Sequence, residues 1–252
     1  MSSALRIVHV FPTLMGTYGD GGNVAVLQDR ARRRGIGVEV ATVGPDEAIP
    51  AHADLYVVGG GEDHGQIVAA RRIREQGTLR RAVDGGAVVF AVCAGLQVIG
   101  EHFEVEGGAV EPGAGILDAV TRRRHPRAVG EVLADPIPHL NLPRLTGYEN
   151  HGGGTLLGPN ATPLAKVVAG VGNGAGGPDA DAVEGAVAGH VLGTYLHGPV
   201  LARNPALGDL LLTWAVGSEL APLDAPFVAE LRAEREAYVA SGRLSAAAAD
   251  AP

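Results

Sequence analysis

The chain carries a single cysteine, and its surroundings are those of a nucleophile. In Ala87-Val88-Val89-Phe90-Ala91-Val92-Cys93-Ala94-Gly95-Leu96-Gln97 an apolar, β-branched run reads as a buried strand, and Leu96 to Glu101 read as the start of a helix. Cys93 falls on the turn between them. Small neighbours let the backbone bend sharply and hold the side chain above the sheet. The N–H groups and partial positive charge at the start of the following helix favour a thiolate. A cysteine within the strand would read as inert core; at the turn it reads as reactive. A thiol of this kind needs a base that takes its proton and returns it to a leaving group. With nine histidines in the chain, position has to choose among them. His9 lies in the first predicted strand, His52, His102, His125 and His139 in polar loops, and His190 at the start of a strand. His64, His151 and His197 stand at glycine-rich strand ends, where His197 leads and His151 is next. Gly59-Gly60-Gly61 follows another predicted strand. There the N–H groups of Gly60 and Gly61 could join that of Ala94 in an oxyanion hole.

These residues need elements to hold them. Strands are predicted at Leu5 to Phe11, Val38 to Val43, Leu55 to Val58 and Ala87 to Val92. The helices between them are Val24 to Arg34, closed by Gly35, and Ile67 to Arg81, interrupted near Gly77. That alternation implies an α/β fold with a doubly wound, mostly parallel sheet and flanking helices. Beyond residue 103 shorter strand-like pieces (Val129 to Ala134, Leu164 to Val168) lie among Gly and Pro and suggest an antiparallel extension. Gly170 to Asp181 reads as a flexible loop or hairpin tip. A late strand, Gly189 to Leu196, delivers His197, and Pro205 to Val216 and Pro226 to Val239 are the last helices. Residues 1–240 are expected to form one domain and 241–252 a disordered tail, Ala-rich and without an amphipathic pattern. Ligands of such a sheet bind beyond the carboxyl ends of its strands, where Cys93, the Gly59–Gly61 run and His197 would meet.

Composition supports this frame. Apolar residues make up 46% of the chain and aromatics only 4%, so the core is built from Val, Leu, Ile and Ala, as in a buried parallel sheet. A net charge of −8 argues against nucleic acid or an anionic membrane as the main partner. One cysteine excludes an intrachain disulfide framework and a Cys-rich zinc site, and fits a reducing compartment. The histidines lack metal-ligand spacing, so no metal site is expected. The first residues do not read as a signal peptide and no run is long enough for a spanning helix, so the expected location is the cytoplasm.

Three segments together resemble the class I glutamine amidotransferases of the cobyric-acid-synthase (CobB/CobQ-like) type: Ala91 to Gln97, Gly147-Tyr148-Glu149-Asn150-His151-Gly152-Gly153, and Gly193-Thr194-Tyr195-Leu196-His197-Gly198-Pro199. Within that group the chain resembles the stand-alone glutaminase subunits of lipid II isoglutaminyl synthases. Tyr18-Gly19-Asp20-Gly21-Gly22-Asn23, Gly59 to Asp63 and a chain too short for a synthetase domain point that way. The likeness spans roughly residues 5 to 215. It implies that Cys93 attacks the side-chain amide of L-glutamine, that His197 serves as base and then acid, and that Arg127 holds the substrate, as a guanidinium pairs well with an α-carboxylate. Two positions depart from the pattern of many class I members. Ala91 replaces a glycine two residues before the cysteine, and Pro199 stands where an acid would complete a triad. The resemblance then implies a Cys-His dyad or an orienting group from elsewhere, with Glu149 a candidate.

The implied partner is a Mur-ligase-like, ATP-dependent subunit that would use the ammonia to amidate the D-glutamate of lipid II to D-isoglutamine in peptidoglycan synthesis. No cofactor is expected in this chain, which lacks a Gly-x-x-x-x-Gly-Lys-Ser/Thr loop; ATP and Mg belong on the partner. Tyr18 to Asn23 reads as a tight turn, with anion binding through its glycines as the other option. Competing readings are an amidotransferase for another carboxylate such as a corrinoid, a non-catalytic regulatory subunit, and a cysteine hydrolase or stress protein on a related fold.

Overall fold

The computed structural model describes residues 4–17, 19–175 and 182–241. Its first sheet is made of β1 (Leu5–Val10), β2 (Val38–Val43), β3 (Leu55–Val58), β4 (Val88–Val92), β11 (Ala186–Ala188) and β12 (Val191–Thr194) in the order β11-β12-β4-β3-β1-β2. All neighbours are parallel except β11, which runs antiparallel to β12 at the edge. The central strands β3 and β4 are buried at every residue, as expected of strands covered on both faces. Helices α1 (Gly21–Arg32), α2 (Asp63–Gln76), α3 (Thr78–Asp84), α4 (Ala94–Ile99), α5 (Val200–Arg203) and α6 (Pro205–Val216) flank the strands. Gly77 in the left-handed region divides α2 from α3, at the predicted interruption. A last helix, α7 (Pro226–Ala240), buries none of its residues. The proposed tail lies outside the described residues from residue 242, as do residues 176–181 of the predicted glycine-rich loop.

The second sheet holds β5 (His102–Glu104), β6 (Val110–Pro112), β7 (Ala119–Pro136), β8 (Leu145–Leu157), β9 (Ala165–Ala169) and β10 (Val183–Glu184), with β8 added on β7. Its backbone is the antiparallel pair β7–β8, whose register slips between Arg123 and Ala128. The sequence suggests only Val129 to Ala134 here, because the basic run at 122–124 and the glycines at 152–154 hide the alternation of two long strands. His151 therefore stands within a strand rather than at a strand end, and His125 lies in β7 rather than in a loop.

The two sheets meet at His197. Its N–H donates to Tyr148 O at 2.8 Å, and Tyr148 N–H donates to His197 O at 3.3 Å. Leu196 fits against Gly147, where a Cβ would lie 2.6 Å from the Leu196 side chain. Asn204, buried before α6, reinforces the seam: Thr146 N–H donates to its Oδ1 at 3.0 Å, and its Nδ2 donates to Thr146 O at 2.7 Å and Val200 O at 2.9 Å. Replacing it strands these groups away from water. Asn204→Ala is expected to lower unfolding stability by about 3 kcal/mol in urea titration, and a loss below about 1 kcal/mol would show that the seam is held by other contacts.

Candidate active site

Cys93 sits between β4 and α4 with φ 53° and ψ −110°, a combination that L-residues adopt only when the surroundings enforce it, at a cost of about 1–3 kcal/mol. The enforcement is visible. Cys93 N–H donates to Thr194 O at 2.7 Å, and α4 starts so close to β3 that a Cβ on Gly95 would lie 2.5 Å from Val58 O. The alanine at position 91 is fully buried within β4, and the bend forms with it in place.

His197 arrives from the end of β12. Its Nδ1 lies 3.2 Å from Asp20 Oδ1, and since an ionised carboxylate can only accept, Nδ1 carries the proton. The nitrogen left to serve Cys93 is Nε2. Burial pushes the His197 pKa down, but its hydrogen bonds to Asp20 and Cys93 more than reverse this and raise it to about 10. Gly60 lies against all three residues. A Cβ there would meet Asp20 Oδ2 at 3.0 Å, His197 Cε1 at 3.1 Å and Cys93 Cβ at 3.5 Å, so only glycine leaves room for the trio to close.

Asp20 is completely buried and is the functional residue the sequence reading missed. It precedes α1, and its Oδ2 accepts the Gly60 N–H at 2.6 Å. The Asp20–Asn23 segment grips the residues around and after His197 at three points. Asp20 holds the imidazole. Gly22 admits Pro199, whose Cγ would lie 2.3 Å from a Cβ at that position. Asn23 Oδ1 accepts the Leu201 N–H at 3.0 Å. Helix α1 is itself fixed, because Arg30 pairs with Asp209 of α6 through two 2.6 Å bonds and Arg34 reaches the same carboxylate at 2.9 Å. The available signal was an acid set among glycines just before the first helix.

Two expected roles are corrected. Gly60 is not an oxyanion donor, because its N–H is spent on Asp20. Gly61 and Ala94 line the cleft beside Cys93, and neither N–H has a protein acceptor among the described residues. Glu149 does not orient His197. Its carboxylate accepts the N–H groups of Val171 and Gly172 at 2.8 and 2.9 Å and lies 3.6 Å from His151 Nε2. His151, the second choice among the histidines, stacks on Tyr195 at 3.8 Å and bonds Gly153 O through Nδ1, so it is a wall of the cleft rather than the base.

Arg127 reaches the same cleft from β7. Its Nε donates to Asn150 Oδ1 at 2.6 Å and one terminal nitrogen to Asn150 O at 3.0 Å, which fixes the guanidinium plane at the rim. A thiol on the floor and an arginine at the rim suit a small ligand with an electrophilic carbon at one end and a carboxylate at the other. No cluster of metal-ligating side chains occurs among the described residues. No helix among them is long and apolar enough to cross a membrane.

Comparison with known proteins places this arrangement. Residues 6–205 match the CobB/CobQ-like glutamine amidotransferase domain. The GatD subunit of glutamine-hydrolysing lipid II isoglutaminyl synthase from Staphylococcus aureus (strain N315) is 32% identical over 236 residues, covering 92% of this chain and 93% of that one. Cobyric acid synthase from Sphingopyxis alaskensis is 33% identical over 184 residues, which are 70% of this chain but 34% of that enzyme. A crystal structure of a glutamine amidotransferase shares the fold with a TM-score of 0.56, 21% identity, and coverage of 83% of this chain and 98% of that one.

The pKa of His197 gives the site a pH signature. A histidine raised from 6.5 to about 10 contributes stability in full below pH 6.5, and the contribution is lost as pH rises toward 10. Asp20→Asn should therefore destabilise the protein most at pH 6–6.5, with the gap to wild type narrowing by pH 10. Alkylation of Cys93 by iodoacetamide at pH 7 should slow roughly tenfold, since the imidazolium that supports the thiolate is weakened. Parallel stability curves across that range would contradict the assignment of Asp20.

Proposed function

The chain belongs to the CobB/CobQ-like glutamine amidotransferases, a glutamine-hydrolysing family, and from that premise we propose that it is the glutaminase subunit of a lipid II isoglutaminyl synthase. The observation that carries the reading is the packing of Cys93, His197 and Asp20 around Gly60, with Cys93 opening into the cleft that Arg127 also lines, in a chain that spans nearly the whole of the Staphylococcus aureus subunit.

In the proposed reaction Arg127 pairs with the α-carboxylate of L-glutamine and lays the side-chain amide across Cys93. With the thiol's proton already held on His197 Nε2, as the raised pKa of the imidazole favours, Cys93 attacks the amide carbon as a thiolate. The tetrahedral oxyanion is received by the N–H groups of Gly61 and Ala94. Collapse breaks the C–N bond, and the imidazolium returns its proton to the leaving nitrogen, releasing ammonia and leaving a γ-glutamyl thioester. Water, deprotonated by the same imidazole, then frees glutamate and restores the thiol. Asp20 holds the imidazole in the tautomer this sequence needs. A carboxylate does not react with ammonia unaided, so activation of the D-glutamate acceptor, with ATP and Mg, is assigned to a Mur-ligase-like partner working in the cytoplasm.

The test is release of ammonia and glutamate from L-glutamine by the full chain, alone and with its Mur-ligase-like partner. Wild type should release both, more so with the partner, and Cys93→Ala should release neither. Arg127→Ala should raise the KM for glutamine by about tenfold or more with a smaller effect on kcat, the mark of a lost ground-state contact. A folded wild-type chain that releases no ammonia in either setting would overturn the reading.

A further inference from the structure

Beside the nucleophile lies a polar chain that the proposed mechanism does not use. Gln66 of α2 is buried to 3% exposure, and its Nε2 donates to Gln97 Oε1 at 2.6 Å. Gln97 Nε2 in turn reaches the Tyr195 hydroxyl at 3.0 Å, Tyr195 pairs with Thr155 Oγ1 at 2.6 Å, and Thr155 with Thr121 Oγ1 at 2.8 Å. Gly153 leaves the space it occupies: a Cβ there would lie 2.3 Å from Gln97 Nε2 and 2.9 Å from the Tyr195 hydroxyl. Gln66 and Gln97 both line the cleft that holds Cys93 and Arg127.

Every link in this chain can run in either direction. Hydroxyls donate or accept, and a side-chain amide can turn over and exchange its two ends. With Gln97 turned over, its N–H groups would face Gln66 and its oxygen would face Tyr195. Tyr195 and Thr155 would then reverse their protons without moving a heavy atom. The direction is therefore chosen at the ends, and the end inside the cleft is Gln66. In the observed direction Gln66 spends an N–H on Gln97, and its own Oε1 has no protein donor among the described residues. The cleft is then offered an acceptor on Gln66 and the second N–H of Gln97.

We propose that Gln66 is a positioning residue for glutamine binding: its amide fixes which end of Gln97 faces the cleft, and a substrate donor on Gln66 Oε1 locks that choice. Substrate and polar chain then stabilise each other, and a ligand with no donor at this point gains nothing from it. The inference rests on the glutaminase reading above.

Gln66→Glu is the decisive variant. A carboxylate is nearly isosteric but can only accept, so it turns Gln97 over and keeps the chain hydrogen-bonded, while placing a charge where the side chain is only 3% exposed. The expected result is a KM for L-glutamine raised about tenfold or more, because the turned-over Gln97 offers the cleft its oxygen in place of an N–H and one hydrogen bond to substrate is lost, with kcat changed less than about threefold. The buried charge should lower the melting temperature without unfolding the protein, Cys93 should still be alkylated by iodoacetamide, and lowering the pH until the introduced carboxyl is protonated, when its O–H can donate to Gln97 as the amide did, should bring KM back toward the wild-type value at the same pH. An unchanged KM would overturn the proposal. So would a collapse of kcat that lowering the pH does not reverse, which marks a purely structural role. If Gln66→Glu does not fold, Gln66→Met supplies the same readout, with KM raised and alkylation retained expected and an unchanged KM contradicting. A wild-type chain without glutaminase activity would instead sink the functional reading, so the two failures are separable.

Discussion

The structure turns on one buried carboxylate. Asp20 has no access to water, and a charge so placed is tolerated only when donors surround it. Its two oxygens divide the work, one taking the Gly60 N–H and the other the His197 imidazole. That single group ties the loop after β1, the loop after β3 and the end of β12 into one assembly. It also fixes the imidazole so that the nitrogen facing the thiol is the one that can accept its proton. The ion pairs of Arg30 and Arg34 with Asp209, far from the chemistry, matter because they hold the helix whose first turn follows Asp20.

Close approach of backbones does the rest. Glycines at 22, 60 and 95 each stand where a Cβ would strike Pro199, the trio of functional side chains, or the carbonyl of Val58. The strained backbone at Cys93 persists because this packing leaves no alternative path for the chain. The second sheet contributes the walls: Arg127 and Asn150 at the rim, and His151 stacked on Tyr195 deeper down. Beneath them Glu184, which burial raises to about 7, accepts the N–H of Tyr195 and the hydroxyl of Thr194, securing the strand end that leads to His197.

Much of this was legible in the sequence. Val38–Val43, Leu55–Val58 and Pro205–Val216 form with the predicted bounds, because a β-branched run between Gly37 and Gly44, a buried apolar run ending at Gly59 and a helix opened by proline are local signals. Cys93 could be placed on its turn for the same reason, the position of His197 at a glycine-rich strand end singled it out, and family resemblance supplied Arg127. What stayed hidden was non-local. Nothing in residue spacing links Asp20 to a histidine 177 positions away, and without the link its glycines read as a tight turn. Gly60 was assigned to the oxyanion because its competing acceptor was unknown, and Glu149 to His197 because the Val171–Gly172 backbone that holds it could not be foreseen. The long hairpin of β7 and β8 escaped because arginines and glycines interrupt its alternation.

The account depends most on Cys93 becoming acylated, and the direct measurement is mass spectrometry of the chain acid-quenched during turnover of L-glutamine. A γ-glutamyl adduct should be found on the peptide containing Cys93, should accumulate only while glutamine lasts, and should be missing from Cys93→Ala. Ammonia release that continues in Cys93→Ala, or an adduct mapped to another residue, would contradict it.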